Sequence, residues 1–299
     1  MTKRVLLTGA TGFIGRWAGR HLAAAGFEVH TAGRRMAPET PVPLIPHAVD
    51  LHDREQTDAL VSRVKPSHLL HLAWHVPPGE FWESPENRRW VDCSNNLFSS
   101  FILHGGQRVV SAGTCAEYDW TSADDMSEEG TPLKPATLYG RCKLETGRLQ
   151  EEMVRGTGAT QAWARLFFLY GPGEPSGRLV SFLADCLVAG KPAPCTSGEQ
   201  IRDFMYVDDA ARALVTILES SWTGPINIAT GQPVAVKDIA MRLSTLAGHP
   251  ERLRLGAVPL PAREPPRIVA DVSRLQSLGF RPVVDLEAGL RKVLESKSR

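Results

Sequence analysis

Thr8-Gly9-Ala10-Thr11-Gly12-Phe13-Ile14-Gly15 follows directly on the apolar run Val5-Leu6-Leu7, and from Phe13 to Ala25 apolar residues recur at helical spacing. A buried strand turning on glycine into a helix is the simplest reading. Gly9 permits the tight turn, Gly12 lets the backbone approach a pyrophosphate, and Gly15 lets helix and strand pack closely. The helix amino terminus, at Phe13 and Ile14 beyond Thr11, favours the negative charge such a group carries. Three glycines also suit a purely structural turn. The βα alternation that follows favours the dinucleotide reading.

Glu28 to Ala32 is strand-like, Asp50 to Val64 helical and Ser67 to Leu72 strand-like again. Arg108 to Ala112 and Gln161 to Leu166 add strands, with a helix from Leu138 to about Val154 between them. Such alternation predicts an α/β fold, a doubly wound parallel sheet covered on both faces and built with right-handed crossovers. Pro/Gly-rich stretches at Gly171–Gly177, Lys191–Gly198 and Val258–Pro266 predict a smaller carboxyl-terminal lobe. The expected division is 1–171 for the dinucleotide-binding domain, which also receives about 205–230, and 172–299 mainly for substrate. Ala210 to Glu219 is the helix expected to return to the main sheet.

The end of the second strand distinguishes NAD from NADP, because an acid there accepts hydrogen bonds from the adenosine ribose. Gly33 stands at that place, followed by Arg34 and Arg35. Without a carboxylate a 2′-phosphate meets no repulsion, and forked guanidinium hydrogen bonds can hold it. NADP is the expected cofactor, with NAD possible if the arginines are only a solvated loop.

The composition excludes several classes. At 299 residues with 42% apolar and 22% charged, the chain can bury a full core. A net charge of +1 provides no broad field for a nucleic acid or an anionic membrane, so no partner of either kind is expected. The five cysteines are odd in number and show no metal-ligand spacing, so neither disulfides nor a metal site is expected. Reduced thiols, no credible cleavable signal and no membrane-length apolar run together suggest a cytoplasmic protein.

Tyr139-Gly140-Arg141-Cys142-Lys143 places a phenol and an ammonium on one helical face. A nearby cation is expected to lower the tyrosine pKa toward its working range. With the glycine turn in TGxxGxxG form, and Thr114 at the end of the fifth strand, the chain resembles the extended short-chain dehydrogenase/reductase superfamily. Its nearest branch holds the nucleotide-sugar epimerases, dehydratases and reductases. Asp50-Leu51, His71-Leu72-Ala73, Leu169-Tyr170-Gly171-Pro172, Arg202 to Asp209 and Val269 to Leu275 extend the likeness over essentially the whole chain. The resemblance implies a Rossmann sheet and a homodimer formed by Glu86–Leu103 with Leu138–Val154. It implies an adenine site near Asp50 and Leu51, further cofactor contacts at Leu72 and Ala73, and the catalytic set Thr114, Tyr139 and Lys143. Lys143 would also hold the nicotinamide ribose.

Sugar 4,6-dehydratases of this superfamily carry Asp-Glu immediately after the catalytic threonine, whereas Thr114 is followed by Cys115-Ala116. Dehydration is therefore disfavoured. Glu117 would fall on the opposite face if the strand continued. An NADP site suggests a consumed hydride donor, and Ala112 to Tyr118 is similar to deoxysugar 4-ketoreductases. The expected reaction is NADPH-dependent reduction of the C4 ketone of a nucleotide-linked 4-keto-6-deoxy sugar; an NAD-dependent 4-epimerase and a non-catalytic dinucleotide sensor are the alternatives.

A nucleotide-diphosphate sugar needs a cationic clamp. The resemblance points to Arg202 first, then to Arg263 and Arg178, with a surface salt bridge as the alternative for each and the least so for Arg202. The aromatic stretch Ala73 to Glu83 either walls the sugar pocket or packs as a loop.

Overall fold

The computed structural model describes residues 3–34, 42–122, 124–262 and 264–298, so Arg35 and Arg263 lie outside the described residues. Val5, Leu6 and Leu7 are fully buried in β1 (Arg4–Thr8), and the glycine turn leads into α1 (Gly15–Ala24). The chain continues through β2 (Glu28–Gly33), β3 (Leu44–Ala48), α2 (Arg54–Val64), β4 (His68–His71) and α3 (Glu86–Leu103). Next come β5 (Arg108–Thr114), α4 (Leu138–Val154), β6 (Thr160–Leu166), β7 (Phe168–Tyr170), α5 (Leu179–Val188) and β8 (Ala193–Pro194). Then follow β9 (Ile201–Tyr206), α6 (Val207–Glu219), β10 (Gly224–Ile228), β11 (Pro233–Ala235), α7 (Val236–Leu246) and β12 (Leu253–Arg254). β13 (Arg267–Ile268), α8 (Ser273–Ser277) and α9 (Leu286–Lys297) complete it.

Seven parallel strands form the central sheet in the order β10-β6-β5-β4-β1-β2-β3. The order reverses at β1, which places the strand ends around the glycine turn at a topological switch point. α1 and α6 cover one face, where Ala18 and Leu22 pack with Ala210, Leu214 and Leu218; Leu60, Leu97, Phe98 and Phe101 cover the other from α2 and α3. Each such leucine or phenylalanine contributes about 1.5–3 kcal/mol of transfer free energy.

A strand buried on both faces must satisfy every polar group it carries. β5 is buried at all seven positions, and it does so with two side-chain contacts. Ser111 Oγ donates to Gln150 Oε1 at 2.8 Å, and Arg108 donates to the Ile217 carbonyl at 2.7 Å and to that of Leu218. Those carbonyls end α6, where a cation is favourable.

After β6 the chain alternates between two layers. β7 and β9 pair in a smaller sheet with β11 and β13, while α6 and β10 return to the main one. Tyr170, Leu183, Leu187, Ile239, Leu243, Leu290 and Val293 make a separate core for the smaller lobe. The acids in Arg202 to Asp209 fasten loops: Asp203 accepts from Thr230 and Gly231, and Asp209 from Val283 and Val284. No helix among the described residues is long and apolar enough to cross a membrane, and they contain no cluster of metal-ligating side chains.

Candidate active site

The glycine turn is shaped by contacts that leave no room for side chains. Gly9 has φ +73°, and a Cβ there would lie 2.8 Å from the Ala73 nitrogen. A Cβ on Gly15 would lie 2.0 Å from the Gly9 carbonyl oxygen, and one on Gly12 3.1 Å from the same atom. Gly15 is thus the least replaceable of the three. Thr8 fastens the turn to the end of β4: its hydroxyl accepts from the Leu72 and Ala73 nitrogens and lies 2.7 Å from His71 Nδ1. Two bonds accepted leave the hydroxyl proton for His71 Nδ1, so His71 Nε2 donates to Ser94 Oγ at 2.9 Å. Burial holds His71 neutral, its pKa lowered to about 3. Both residues stand in motifs quoted above, but their pairing carries no sequence signal, because a threonine ending β1 and a histidine ending β4 meet only through register.

A cleft of about 420 Å³ opens beside this turn. Gly9, Ala10 and Thr11 form one side, Thr31 to Arg34 the end of β2, and Asp50, Leu51, His52 and Ala73 the opposite wall. Trp90, from α3, closes it with its ring 4.7 Å from that of His52. The residues suit a dinucleotide: a glycine cradle that a Cβ would fill, a helix amino terminus, and apolar and aromatic walls. Phe13, Ile14 and Leu72 frame it without lining it, and Arg34 is exposed at its lip. Trp90 was missed for want of a signal, since one tryptophan in an amphipathic helix reads as core.

Thr114 ends β5, and there the chain does not continue as a strand. Cys115–Glu117 is a short 3-10 turn in which the Thr114 side chain accepts from the Ala116 nitrogen and Glu117 accepts from the Thr114 nitrogen at 2.8 Å. The turn carries Glu117 into the interior. There its carboxylate is fully buried and accepts from Trp163 Nε1 at 2.9 Å and Arg165 Nε at 2.8 Å. It is a structural counterion and not an acid facing the site.

Thr137 caps α4 by accepting from the Gly140 nitrogen, which sets Tyr139 and Lys143 on the face turned to β5. The Tyr139 hydroxyl shares a hydrogen bond with Thr114. Lys143 is buried, donates to the Ala112 carbonyl at 2.8 Å, and has its Nζ 3.8 Å from the centre of the Trp74 ring. The three predicted catalytic residues therefore converge. One expectation needs correction: burial raises the Tyr139 pKa above its ordinary value, with the Thr114 hydrogen bond and the Arg178 charge opposing it. The aromatic shell that shields Tyr139 from water outweighs the cations near it. Burial also lowers Lys143 to about 7.

That shell is the stretch from Trp74 to Trp82. Phe81, Trp82 and Trp74 stand edge-on to the Tyr139 ring at 4.9, 5.8 and 6.5 Å, and the Trp82 carbonyl accepts from the Tyr139 nitrogen. The segment packs, and it packs around Tyr139 and Lys143.

Of the arginines, Arg202 is buried and ion-paired with Glu264, and its guanidinium lies 5.5 Å from the Phe168 ring. Arg178, beside Phe81 at 5.8 Å, acts electrostatically on both Tyr139 and Glu174 and has no ion pair among the described residues. Arg202, the first candidate, is thus held in a buried ion pair, while Arg178 lies beside the aromatic shell. Burial raises the Glu174 pKa to about 7, and its carboxylate accepts from Ser181 in the first turn of α5.

The sequence pattern of the NAD dependent epimerase/dehydratase family matches residues 5–229. The chain belongs to this family. It is 26% identical over 313 residues, 99% of this chain and 96% of the relative, to a dTDP-6-deoxy-L-talose 4-dehydrogenase (NAD(P)(+)) from Kitasatospora kifunensis. It is 33% identical to CDP-abequose synthase of Salmonella typhimurium over 138 residues, 44% of this chain and 46% of that protein. Among solved structures it superposes on UDP-glucose 4-epimerase of Thermus thermophilus in complex with NAD, with TM-score 0.87, 26% identity and 98% of both chains covered. The family is NAD dependent, and a solved relative 29% identical over 98% of both chains, MoeE5, is seen in complex with UDP-glucuronic acid and NAD, with TM-score 0.86.

Proposed function

We propose that the protein reduces the C4 ketone of a nucleotide-linked 4-keto-6-deoxy sugar with NADPH. The carrying observation is the poverty of acid–base groups beside Thr114: Cys115 and Ala116 are apolar and buried, and Glu117 is consumed by Arg165 and Trp163. Proton exchange on carbon, which dehydration requires, has no carboxylate at the positions that follow Thr114 to perform it. What remains is a hydroxyl pair suited to a carbonyl oxygen. Thr114 orients that oxygen, Tyr139 protonates it, and Lys143 supplies positive charge near the new alkoxide. When bound, the reduced nicotinamide supplies the hydride.

The end of β2 favours NADP. β2 ends on Gly33 with no acid, and Arg34 at the lip of the cleft can form charge-assisted bonds to a 2′-phosphate. Gly9 and Thr11 hold the pyrophosphate, with Gly12 leaving its backbone room to approach, while Asp50, Leu51, His52 and Trp90 enclose the adenine end. Arg178 and Arg202 clamp the sugar-nucleotide diphosphate from the smaller lobe.

Loss of reduced-nicotinamide absorbance on mixing with NADPH and a panel of such keto sugars tests the reading, which no consumption with any member would overturn. A 4-epimerase with resident NAD is the second reading, and the NAD complex of the Thermus thermophilus epimerase favours it. Non-exchanging dinucleotide in the purified protein would mark that alternative.

A further inference from the structure

Lys143 is 4% exposed and no carboxylate touches it. A buried ammonium without a counterion is costly, and burial has brought its pKa to about 7. The groups facing it can be named from each side. Glu117, in the turn after β5, favours the charged form from a distance, but its oxygens are committed to Trp163, Arg165 and the Thr114 nitrogen. His71, on β4, is held neutral, and Tyr139, on the same helix, stays a phenol. Besides the Ala112 carbonyl, the ammonium meets the face of Trp74, with Nζ 3.8 Å from the ring centre.

That indole is itself fixed. Trp74 Nε1 donates to Asn87 Oδ1 at 2.9 Å, and Asn87, fully buried, donates through Nδ2 to the Phe81 carbonyl at 2.7 Å and to that of Ser84. Asn87 thereby spends its whole amide on holding the ring and the loop that carries Phe81. Trp74 also stands edge-on to Tyr139 at 6.5 Å and lies 6.1 Å from Trp90, which lines the dinucleotide cleft.

We propose that Trp74 is a positioning residue: its ring face, clamped by Asn87, serves in place of a carboxylate to keep Lys143 charged and aimed between Ala112 and Tyr139. The proposal deepens the reductase reading and rests on it for its catalytic consequence, though not for the state of Lys143 itself. A desolvated cation over an indole gains enough to move a lysine pKa by about one unit. The sign follows from the chemistry: the ring stabilises the ammonium, so removing it makes Lys143 a weaker base.

The test is the reactivity of Lys143 toward acetic anhydride as a function of pH, read by mass spectrometry in the cofactor-free full chain. Trp74→Leu should lower the apparent pKa by about one unit, and Trp74→Phe, which keeps a ring face, should recover most of the shift. With the keto-sugar substrate, Trp74→Leu should lower kcat at neutral pH several-fold more than it raises KM, and move the alkaline limb of the profile to lower pH by about one unit. An unchanged Lys143 titration in both variants overturns the proposal. Should Trp74→Leu fail to fold, Trp74→Met, which fills the space without a ring face, decides the same question, an apparent Lys143 pKa unchanged from wild type counting against the proposal. If no keto sugar is reduced while the titration shifts, the reductase reading fails and the role of Trp74 stands.

Discussion

Glu117 and Arg165 meet at 2.8 Å with their side chains 0% and 4% exposed, and the carboxylate that joins them also fastens the Thr114 nitrogen. Arg165 passes the network on, donating to the Tyr118 hydroxyl at 3.0 Å, which donates to Asn227 Oδ1 at 2.7 Å. Removing one partner of such a pair leaves an uncompensated buried charge. Glu117→Leu should therefore cost about 3–5 kcal/mol, read as a lowered denaturant midpoint. A loss below about 1 kcal/mol would mean that the pair is not structural.

The glycine turn makes a graded prediction. Gly15→Ala places a methyl 2.0 Å from the Gly9 carbonyl, a contact that only movement of the β1–α1 turn can relieve. Overpacking of this kind costs about 1–3 kcal/mol and should abolish dinucleotide binding in a fluorescence titration. Gly12→Ala, whose methyl would lie 3.1 Å from the same oxygen, should cost clearly less stability than Gly15→Ala while weakening the dinucleotide. Equal stability loss in the two variants would refute the distinction.

Cofactor choice resides at the end of β2. Arg34→Ala should weaken NADPH about tenfold or more and leave NADH nearly unaffected, since a hydrogen bond to a charged group contributes about 1.5–3 kcal/mol. Gly33→Asp should turn the preference toward NADH by restoring an acceptor for the ribose hydroxyls. Isothermal titration with both dinucleotides measures this, and parallel losses for the two would remove Arg34 from the 2′-phosphate.

Tyr139→Phe should lower kcat by about two to four orders of magnitude, the usual contribution of a positioned general acid. Dinucleotide affinity should hold, because the phenol lies outside the cleft lining. Retained turnover would pass the proton to another group.

Much of this was legible before any coordinates. The strand-turn-helix at Val5 to Gly15 and the span of α4 emerge from the glycine turn and from apolar periodicity, which are local signals. β3 was harder to see, because Leu44 to Ala48 holds Pro46 and His47 and owes its place to pairing with β2. Glu117 resisted because its role depends on β6, 46 and 48 residues away at Trp163 and Arg165. Trp74 and Asn87 were equally opaque, since an aromatic loop becomes a shell only when α4 brings Tyr139 and Lys143 against it. Long-range burial, which no spacing encodes, also turned the Tyr139 pKa upward.

The central claim is net reduction, and it is tested most directly by the fate of the hydride. With deuterium on the transferring carbon of NADPH and a nucleotide-linked 4-keto-6-deoxy sugar, product carrying the label at C4 should accumulate with one oxidised dinucleotide for each sugar. Interconversion of C4 epimers without net oxidation of NADPH and without label in the product would contradict it.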